Sequence, residues 1–324
     1  MPSESPKLPE PPKLPEPPEL PERSGQPGQP ERSGQPEPGQ QTRRGLVLGG
    51  GGVAGIAWEF GLLAGLADAG IDVTGADLLV GTSAGSVVAA VIGTGVGLER
   101  AFEAQLEPPE QSAELATTFD LDSLQAAAMS AMRESGGDPV RFRAAIGAVA
   151  LATQTVPEAT RREIIAARLP VHDWPDRDLR IVAVDATTGV EAVFTRDSGA
   201  GLVDVVGASC AVPGVWPPVT IGERRYIDGG LRSVTNADLA AGCDAVLVLS
   251  PMTMPPGGPF PSLDDERAAL APARVVVVTA DEASQAASGA NPLDPSTREP
   301  CARAGRAQAA AVADAVRSLW SASE

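Results

Sequence analysis

The chain has 324 residues, a formal net charge of −17 at pH 7 and a sequence pI of about 4.5. This acidic balance argues against nucleic acid as a partner, because phosphate binding needs a basic surface, and against adsorption to anionic membranes through basic patches. Contact with lipid through an apolar surface stays open. Hydrophobic residues make up 43% of the sequence and aromatic residues 3%, so we expect a core of small and branched aliphatic side chains.

The cysteines and the start of the chain bear on the cellular setting. Cys210, Cys243 and Cys301 are odd in number and show no C-x-x-C spacing, so we expect neither a disulfide framework nor a zinc site. The N-terminus lacks a basic segment followed by an apolar one, and no run approaches about 18 consecutive apolar residues. We therefore expect no signal peptide, no transmembrane helix, and a cytoplasmic setting with at most transient, peripheral contact with a membrane or micelle.

Residues 1–44 differ in composition from the rest of the chain. Lys-Leu-Pro-Glu-Pro-Pro occurs at 7–12 and again at 13–18, and Arg-Ser-Gly-Gln-Pro occurs at 23–27 and 32–36. Prolines fix φ and remove donors, and few apolar side chains are present to bury, so a disordered or polyproline-like tail is predicted. This tail is either a docking segment for an unknown protein partner or simply solvated.

The folded region is predicted to span residues 45–324 and to begin with a β-α-β-α pattern. Residues 45–48 and 78–80 are short apolar runs that indicate buried strands. Apolar residues at helical spacing follow the first strand, and residues 86–92 indicate a second helix. Strands and helices that alternate in this way imply a parallel sheet with right-handed crossovers.

A helical insertion over the sheet is predicted for residues from about 98 to 170, where the patterns are helical and no strand is clear. Four apolar residues of this segment are candidates to line an acyl pocket, namely Leu121, Leu124, Met129 and Met132. Ordinary packing within a helical layer is the simpler explanation of these four.

Strand patterns return after the insertion. Residues 179–184 and 192–195 indicate strands, and residues 219–227 indicate a hairpin that turns at Gly222. Residues 245–249 and 275–279 are continuous apolar runs that indicate two buried parallel strands. Residues 283–300 show no periodicity, and residues 302–320 indicate a closing Ala-rich helix.

Two glycine-rich turns, each between a predicted strand and a predicted helix, indicate acyl-transfer chemistry. Ser83 lies between Gly81 and Gly85 in G-x-S-x-G, the nucleophile elbow that lifts a serine hydroxyl out of a sharp strand-to-helix turn. Consecutive glycines at the start of a helix let backbone N–H groups approach an anion closely. Three amides of the earlier turn are therefore candidates for an oxyanion hole: those of Gly50, Gly51 and Gly52.

The serine needs a base within hydrogen-bond reach. The single histidine is His172, whereas the triad order of α/β-hydrolases requires a histidine late in the chain. Either His172 acts in an unusual order or the base is a carboxylate. Asp228 is the best carboxylate, because it ends an apolar strand, glycines follow it, and a dry pocket would strengthen it as a base. Asp-Gly-Gly by itself also occurs in plain β-turns.

The first glycine run also fits a second motif. Gly50, Gly52 and Gly55 satisfy G-x-G-x-x-G, the dinucleotide fingerprint, with Asp72 or Asp77 about 20 residues further on. That motif is weak alone. A dinucleotide site would explain neither the serine between glycines nor the later Asp-Gly-Gly.

Taken in order, three motifs resemble those of the bacterial patatin-like phospholipases: Gly-Gly-Gly-Val-Ala-Gly at 50–55, Gly-Thr-Ser-Ala-Gly at 81–85 and Asp-Gly-Gly at 228–230. The segment 208–219 is also similar to the family's segment ahead of the aspartate. The resemblance implies a three-layer α/β/α sandwich with a mostly parallel central sheet.

The same resemblance implies a lipid acyl hydrolase, phospholipase- or lysophospholipase-like, that works by a Ser–Asp dyad without histidine. Ser83 would be the nucleophile and Asp228 the general base, and the amides of Gly50 to Gly52 would hold the oxyanion. Neither a metal nor an organic cofactor is implied. The expected partner is a lipid or another acyl-ester substrate.

Ala54 departs from the family pattern, because the family often has Arg or Lys at this position. The missing positive charge bears on the preference for a phosphate headgroup more than on ester hydrolysis. A different class of function also fits the sequence, namely a non-catalytic lipid-binding or scaffold protein that keeps the fold and docks a partner through its tail.

Overall fold

A computed structural model describes three stretches of the chain, residues 42–115, 121–253 and 260–321. The first 41 residues of the predicted tail lie outside this described part. The first strand begins at Arg44, one residue before the predicted start of the folded region. The backbone N–H groups of Arg43 and Arg44 donate to the carboxylates of Asp244 and Asp77, each at 2.7 Å, so both residues belong to the folded part.

An eight-stranded mixed sheet forms the centre of the fold. Its strands are β1 (Arg44–Leu48), β2 (Leu78–Thr82), β3 (Asp178–Asp185), β4 (Glu191–Phe194), β5 (Val219–Ile221), β6 (Arg224–Asp228), β7 (Ala245–Ser250) and β8 (Arg274–Thr279). The order across the sheet is β5-β6-β3-β2-β1-β7-β8, with β4 paired to β3. Pairing is parallel from β3 through β8 along this order and antiparallel at β4, β5 and β6, so the sheet is mostly parallel, as predicted.

The helices of the described residues are α1 (Gly52–Asp68), α2 (Ala84–Gly93), α3 (Leu98–Gln105), α4 (Leu121–Ser135), α5 (Pro139–Ala152), α6 (Glu158–Arg168), α7 (Leu202–Ser209), α8 (Leu263–Ala269), α9 (Glu282–Ser288) and α10 (Arg298–Ser321). Within these ranges, none of the helices combines the length and the apolar character needed to cross a bilayer.

The side chains of the central strands alternate between two apolar clusters, as the pleat of a strand requires. In β1, Leu46 and Leu48 belong to a cluster with residues of α1, α2, α7 and α10. Val47 belongs to a second cluster with Ala240 and Leu270, where α8 ends. Helices therefore lie on both sides of the sheet, and the predicted three-layer α/β/α fold is confirmed.

The helical insertion is also confirmed. Helices α3 to α6 lie between α2 and β3 in the chain, and the described residues of this segment contain no strand. Helix α5 begins where Asp138 accepts hydrogen bonds from the N–H groups of Val140 and Arg141, at 2.8 and 3.1 Å, which is a typical N-cap. The side chains of Leu121 and Leu124 lie outside the described residues, so their place in a pocket stays a prediction.

The stretch from 283 to 300, which shows no periodicity in the sequence, contains most of α9 and the first residues of α10. Helix α9 has 7 residues, about two turns, which is too short for an apolar period to be visible. Asp281 caps its start by accepting from the N–H of Ser284 at 2.8 Å. Gly289, with a φ of 61°, follows its last residue.

Candidate active site

The register of β3 brings together the predicted nucleophile and base, which are 145 positions apart in the sequence. Val182 of β3 pairs with Thr82, and the next residue, Ala183, pairs with Asp228. Ser83 directly follows Thr82. The Ser83 hydroxyl consequently donates a hydrogen bond to Oδ2 of Asp228 at 2.8 Å, across 145 positions of sequence.

Ser83 has a backbone conformation that is rare for a residue with a side chain. Its φ is 50° and its ψ is −116°, at the junction of β2 and α2. The flanking glycines make this turn sterically feasible. A Cβ at Gly85 would lie 2.0 Å from the carbonyl oxygen of Leu48, and one at Gly81 would lie 2.7 Å from Cα of Ser86. The G-x-S-x-G motif therefore lets the elbow pack against β1 and against its own helix.

Side chains that sequence reasoning did not identify hold the elbow in place. The N–H of Ser83 donates to Oγ of Ser209 at 2.9 Å. The carbonyl oxygen of Ser83 accepts from Oγ of Ser86 at 2.6 Å and from Sγ of Cys210 at 3.2 Å. Ser209 and Cys210 lie within the segment 208–219, which resembles the family's segment ahead of the aspartate, but the sequence assigned no role to either residue.

Asn236 joins the elbow to the turn that follows Asp228. It is buried and has a left-handed backbone conformation with a φ of 53°, which asparagine tolerates better than most residues. Its side-chain NH₂ donates to Oγ1 of Thr82 at 3.0 Å, to the carbonyl of Ser233 at 2.8 Å and to the carbonyl of Gly229 at 3.3 Å. Asn236 thus connects the residue before the nucleophile with the residue after the base. No sequence motif indicated this role.

Asp228 is a buried carboxylate with a perturbed acidity. Burial raises the pKa of Asp228 to about 6, and hydrogen bonds from the N–H of Gly230, at 2.8 Å, and from Ser83 limit the rise in pKa. A carboxylate with this pKa is a stronger base than a free aspartate and still mostly ionised at neutral pH. It can accept the proton of the hydroxyl that contacts it.

His172 lies away from this pair. It is an exposed residue between α6 and β3, and its Nε2 lies 3.0 Å from the carbonyl oxygen of Ala166. It does not line the cavity that contains Ser83 and Asp228. The geometry thus favours the carboxylate over the histidine as the base.

The glycine run lies against the same cavity, but its amides differ in what they bind. The N–H of Gly50 donates to the carbonyl of Val234 at 2.8 Å, so Gly50 does not offer the oxyanion donor expected of it. The N–H groups of Gly51 and Gly52 have no hydrogen-bond partner within the described part of the chain. Gly52 has a φ of 64°, and a Cβ there would lie 2.7 Å from the carbonyl oxygen of Pro292, so only glycine fits.

The aspartates of the dinucleotide alternative have other partners. Asp72 accepts from the N–H and the hydroxyl of Thr74, at 2.9 and 2.7 Å, within a local turn. Asp77 accepts from the backbone of Arg44, as described above. Among the described residues, no group of three or more histidine, cysteine or acidic side chains is arranged to hold a metal ion.

The cavity beside Ser83 has a volume of about 730 Å³, within the range of small-molecule sites. Its wall is mainly apolar and comes largely from the helical insertion and from the loops that follow β6 and β7. Representative lining residues are Met129, Met132, Phe142, Ile146, Leu231 and Phe260. The two methionines that the sequence offered as pocket candidates are among them. Met129 is 63% exposed and Met252 is 43% exposed, so apolar side chains reach the protein surface at this cavity.

Comparison with known proteins gives one curated relative and several solved structures. The chain is 29% identical over 187 residues to an uncharacterized NTE family protein of Mycobacterium tuberculosis (strain CDC 1551 / Oshkosh); the match covers 58% of this chain and 26% of the relative's length. VipD from Legionella pneumophila superposes with a TM-score of 0.43 at 12% identity, over 85% of this chain and 67% of that one. The type III effector protein ExoU gives 0.37 at 15% identity, over 85% and 53%.

A protein-family model also matches the sequence. The model is described as patatin-like phospholipase, and it matches residues 46–241. This range contains both glycine-rich turns, the helical insertion, and the strand that ends at Asp228. The match covers more than half of the chain, and the chain therefore belongs to the patatin-like phospholipase family.

Proposed function

We propose that this protein is a lipid acyl hydrolase that cleaves carboxylic esters, as a phospholipase or lysophospholipase does. The observation that supports this most directly is the 2.8 Å hydrogen bond from Ser83 to the buried Asp228 at the wall of a mainly apolar cavity. Membership of the patatin-like phospholipase family supports lipid hydrolysis independently. The cavity has the size and the apolar lining to take an acyl chain.

In the proposed mechanism, Asp228 accepts the proton of the Ser83 hydroxyl as Oγ adds to the ester carbonyl. The amides of Gly51 and Gly52 hold the oxyanion, at the start of a helix whose dipole favours negative charge. The carbonyl then re-forms, the C–O bond to the alcohol breaks, and Asp228 returns the proton to the leaving alcohol. Water activated by Asp228 cleaves the acyl-enzyme by the same steps and releases the fatty acid. No step requires a metal or an organic cofactor.

The exposed methionines at the cavity support transient contact with a membrane or micelle. Met129, Met132 and Met252 line the cavity and are 63%, 36% and 43% exposed. Apolar side chains in this position can enter a lipid surface without any basic patch, which is compatible with the acidic composition. In this proposal an acyl chain passes from the lipid surface into the cavity past these residues.

Hydrolysis of p-nitrophenyl esters of increasing acyl length tests the proposal. We expect activity on long chains, loss of that activity in Ser83→Ala and Asp228→Asn, and wild-type activity in Ser318→Ala, which removes an exposed hydroxyl on α10. His172→Ala should also remain active. Absence of activity at every chain length, together with no labelling of Ser83 by a fluorophosphonate probe, would favour the non-catalytic lipid-binding or scaffold function instead.

A further inference from the structure

Arg161 is a buried cation near the catalytic serine. It lies on α6, within the helical insertion, and is only 3% exposed. Its guanidinium carbon lies 3.7 Å from the centre of the Trp216 ring, a cation–π contact. The Nε and Nη1 atoms are buried and have no hydrogen-bond partner among the residues that the structure describes. A buried charge of this kind destabilises a fold unless something binds it.

Among the described residues, no carboxylate forms an ion pair with Arg161. The nearby carboxylate of Glu114 binds Arg168 instead, accepting from Nε at 2.5 Å and from Nη2 at 2.6 Å. Burial raises the pKa of the Cys210 thiol, so this group is uncharged near pH 7. Burial and the charge of Arg168 lower the pKa of Arg161 to about 9. Arg161 therefore keeps its positive charge at neutral pH.

Arg161 shares a narrow cavity with the nucleophile. This cavity has a volume of about 20 Å³, and its lining includes Arg161, Ser83, Gly52 and Ala84. Within the described part of the chain, the N–H groups of Gly52 and Ala84 also lack a hydrogen-bond partner. A volume of this size holds about one water-sized group, which fits a single oxygen and not a phosphate group. Three residues with donors that lack partners among the described residues thus line a space for one oxygen atom, together with the residue that carries the attacking hydroxyl.

We propose that Arg161 is a catalytic residue that places a positive charge at the oxyanion of the tetrahedral intermediate on Ser83. This inference rests on the hydrolase function proposed above. When Oγ bonds to the carbonyl carbon, the π electron pair of the C=O bond moves onto the carbonyl oxygen, which becomes an anion beside Arg161. When the carbonyl re-forms, that pair returns and the alcohol leaves with the proton from Asp228. Arg161 exchanges no proton at any step.

The chemistry of the site favours a charged donor. A cation in a dry site interacts with a developing negative charge more strongly than a neutral amide does. The guanidinium is held in place before the reaction by its stacking on Trp216 and by the position of Arg161 on α6, so little reorganisation is needed as the anion forms. Removal of one oxyanion donor typically lowers kcat by about 10²-fold to 10³-fold, and we expect a loss of that order here.

The decisive variant is Arg161→Met, and its matched control is Arg162→Met. Met fills the space beside Trp216 without charge, whereas Arg162 is exposed and pairs with Asp204 at 2.6 Å. With p-nitrophenyl butyrate, which has no headgroup, Arg161→Met should lower kcat about 100-fold with little change in KM. Arg162→Met should match the wild type. Inhibition by an aliphatic trifluoromethyl ketone, which forms a hemiketal oxyanion on Ser83, should weaken by a similar factor.

A purely structural role predicts a different result, because it would lower Tm without affecting the ketone selectively. We expect Arg161→Met to fold with an equal or higher Tm, since it removes a buried charge whose Nε and Nη1 have no hydrogen-bond partner among the described residues. A wild-type kcat on the neutral ester would overturn the proposal. Loss of activity only on phospholipid vesicles would also overturn it and would assign Arg161 to a headgroup phosphate.

Two further results keep the test decisive. If Arg161→Met does not fold, Arg161→Gln is measured in the same way; a loss of kcat of about 100-fold supports the proposal and a wild-type rate overturns it, because glutamine keeps an N–H donor but loses the charge. Failure of the hydrolase function itself has a different signature. In that case the wild type and Ser83→Ala would hydrolyse the ester equally poorly, whatever stands at position 161.

Discussion

Asp228→Asn is expected to lower activity and to gain stability relative to the wild type as the pH rises from 4.5 to 7.5. The reason is the buried carboxylate, whose pKa burial raises from 3.8 to about 6. Between these two values the folded protein holds a proton that the unfolded chain has released. The free energy of unfolding therefore falls as the pH rises through this window. Asparagine does not titrate, so the Asp228→Asn variant does not show this fall in the free energy of unfolding.

The magnitude follows from the two pKa values. Relative to a pH at which both states are protonated, the raised pKa of Asp228 lowers the free energy of unfolding by about 1 kcal/mol at pH 4.5 and by about 3 kcal/mol at pH 7.5. The stability of Asp228→Asn relative to the wild type should therefore rise by about 2 kcal/mol between these pH values. An offset independent of pH is also expected, because the asparagine amide cannot accept from both the Ser83 hydroxyl and the Gly230 N–H as the carboxylate does.

Urea unfolding at pH 4.5 and pH 7.5 measures this difference, provided that the m-value is the same for both proteins. Other titrating groups are common to the two proteins and cancel in the comparison. Asp173→Asn, at an exposed aspartate, controls for the loss of one charge. A stability difference that is equal at the two pH values would refute the reasoning, because it would mean that Asp228 does not hold its proton more tightly in the folded state.

Further outcomes follow from the same geometry. The kcat/KM of the wild type on a p-nitrophenyl ester should fall about tenfold per pH unit below pH 6 and be level above it, since Asp228 must be ionised to act as a base. Asn236→Ala should lower the free energy of unfolding by about 1–3 kcal/mol in urea titrations, because three acceptors lose their donor, and should lower kcat more than it raises KM. Burial raises the pKa of Glu59 well above its ordinary value, so Glu59→Gln should show a Tm advantage that grows from pH 5 to pH 8 by calorimetry.

The nucleophile and base could be predicted from sequence because their motifs reflect local sterics. Gly81 and Gly85 are needed wherever a serine elbow packs against a neighbouring strand and its own helix, and that need leaves a fixed spacing in the sequence. The end of β6 is visible in the same way, as an apolar run followed by Asp-Gly-Gly. The central strands were equally predictable, because strands buried on both faces appear as continuous apolar runs.

The remaining parts of the site depend on contacts that no local pattern encodes. Gly50 looks identical to Gly51 in the sequence, and only the position of Val234 decides that its amide is already bonded. Ser209 and Asn236 act on the elbow from 126 and 154 positions away. An arginine on a polar helix such as α6 is usually exposed, so only the packing of α6 against Trp216 identifies Arg161 as buried.

Three buried ionisable groups can be sorted into functional and structural ones by how their replacement changes stability and rate. Asp228, Arg161 and Glu59 are all buried, and burial shifts the pKa of each toward the neutral form. Each therefore lowers stability when charged, and a neutral replacement of similar size should raise stability at all three positions. Only at Asp228 and Arg161 should the same replacement also reduce the rate of acyl transfer, because only these two face the space beside Ser83. When a replacement raises stability and lowers the rate, the group it removed was a functional one that destabilised the fold. Replacement of a structural group lowers both stability and rate, or lowers neither.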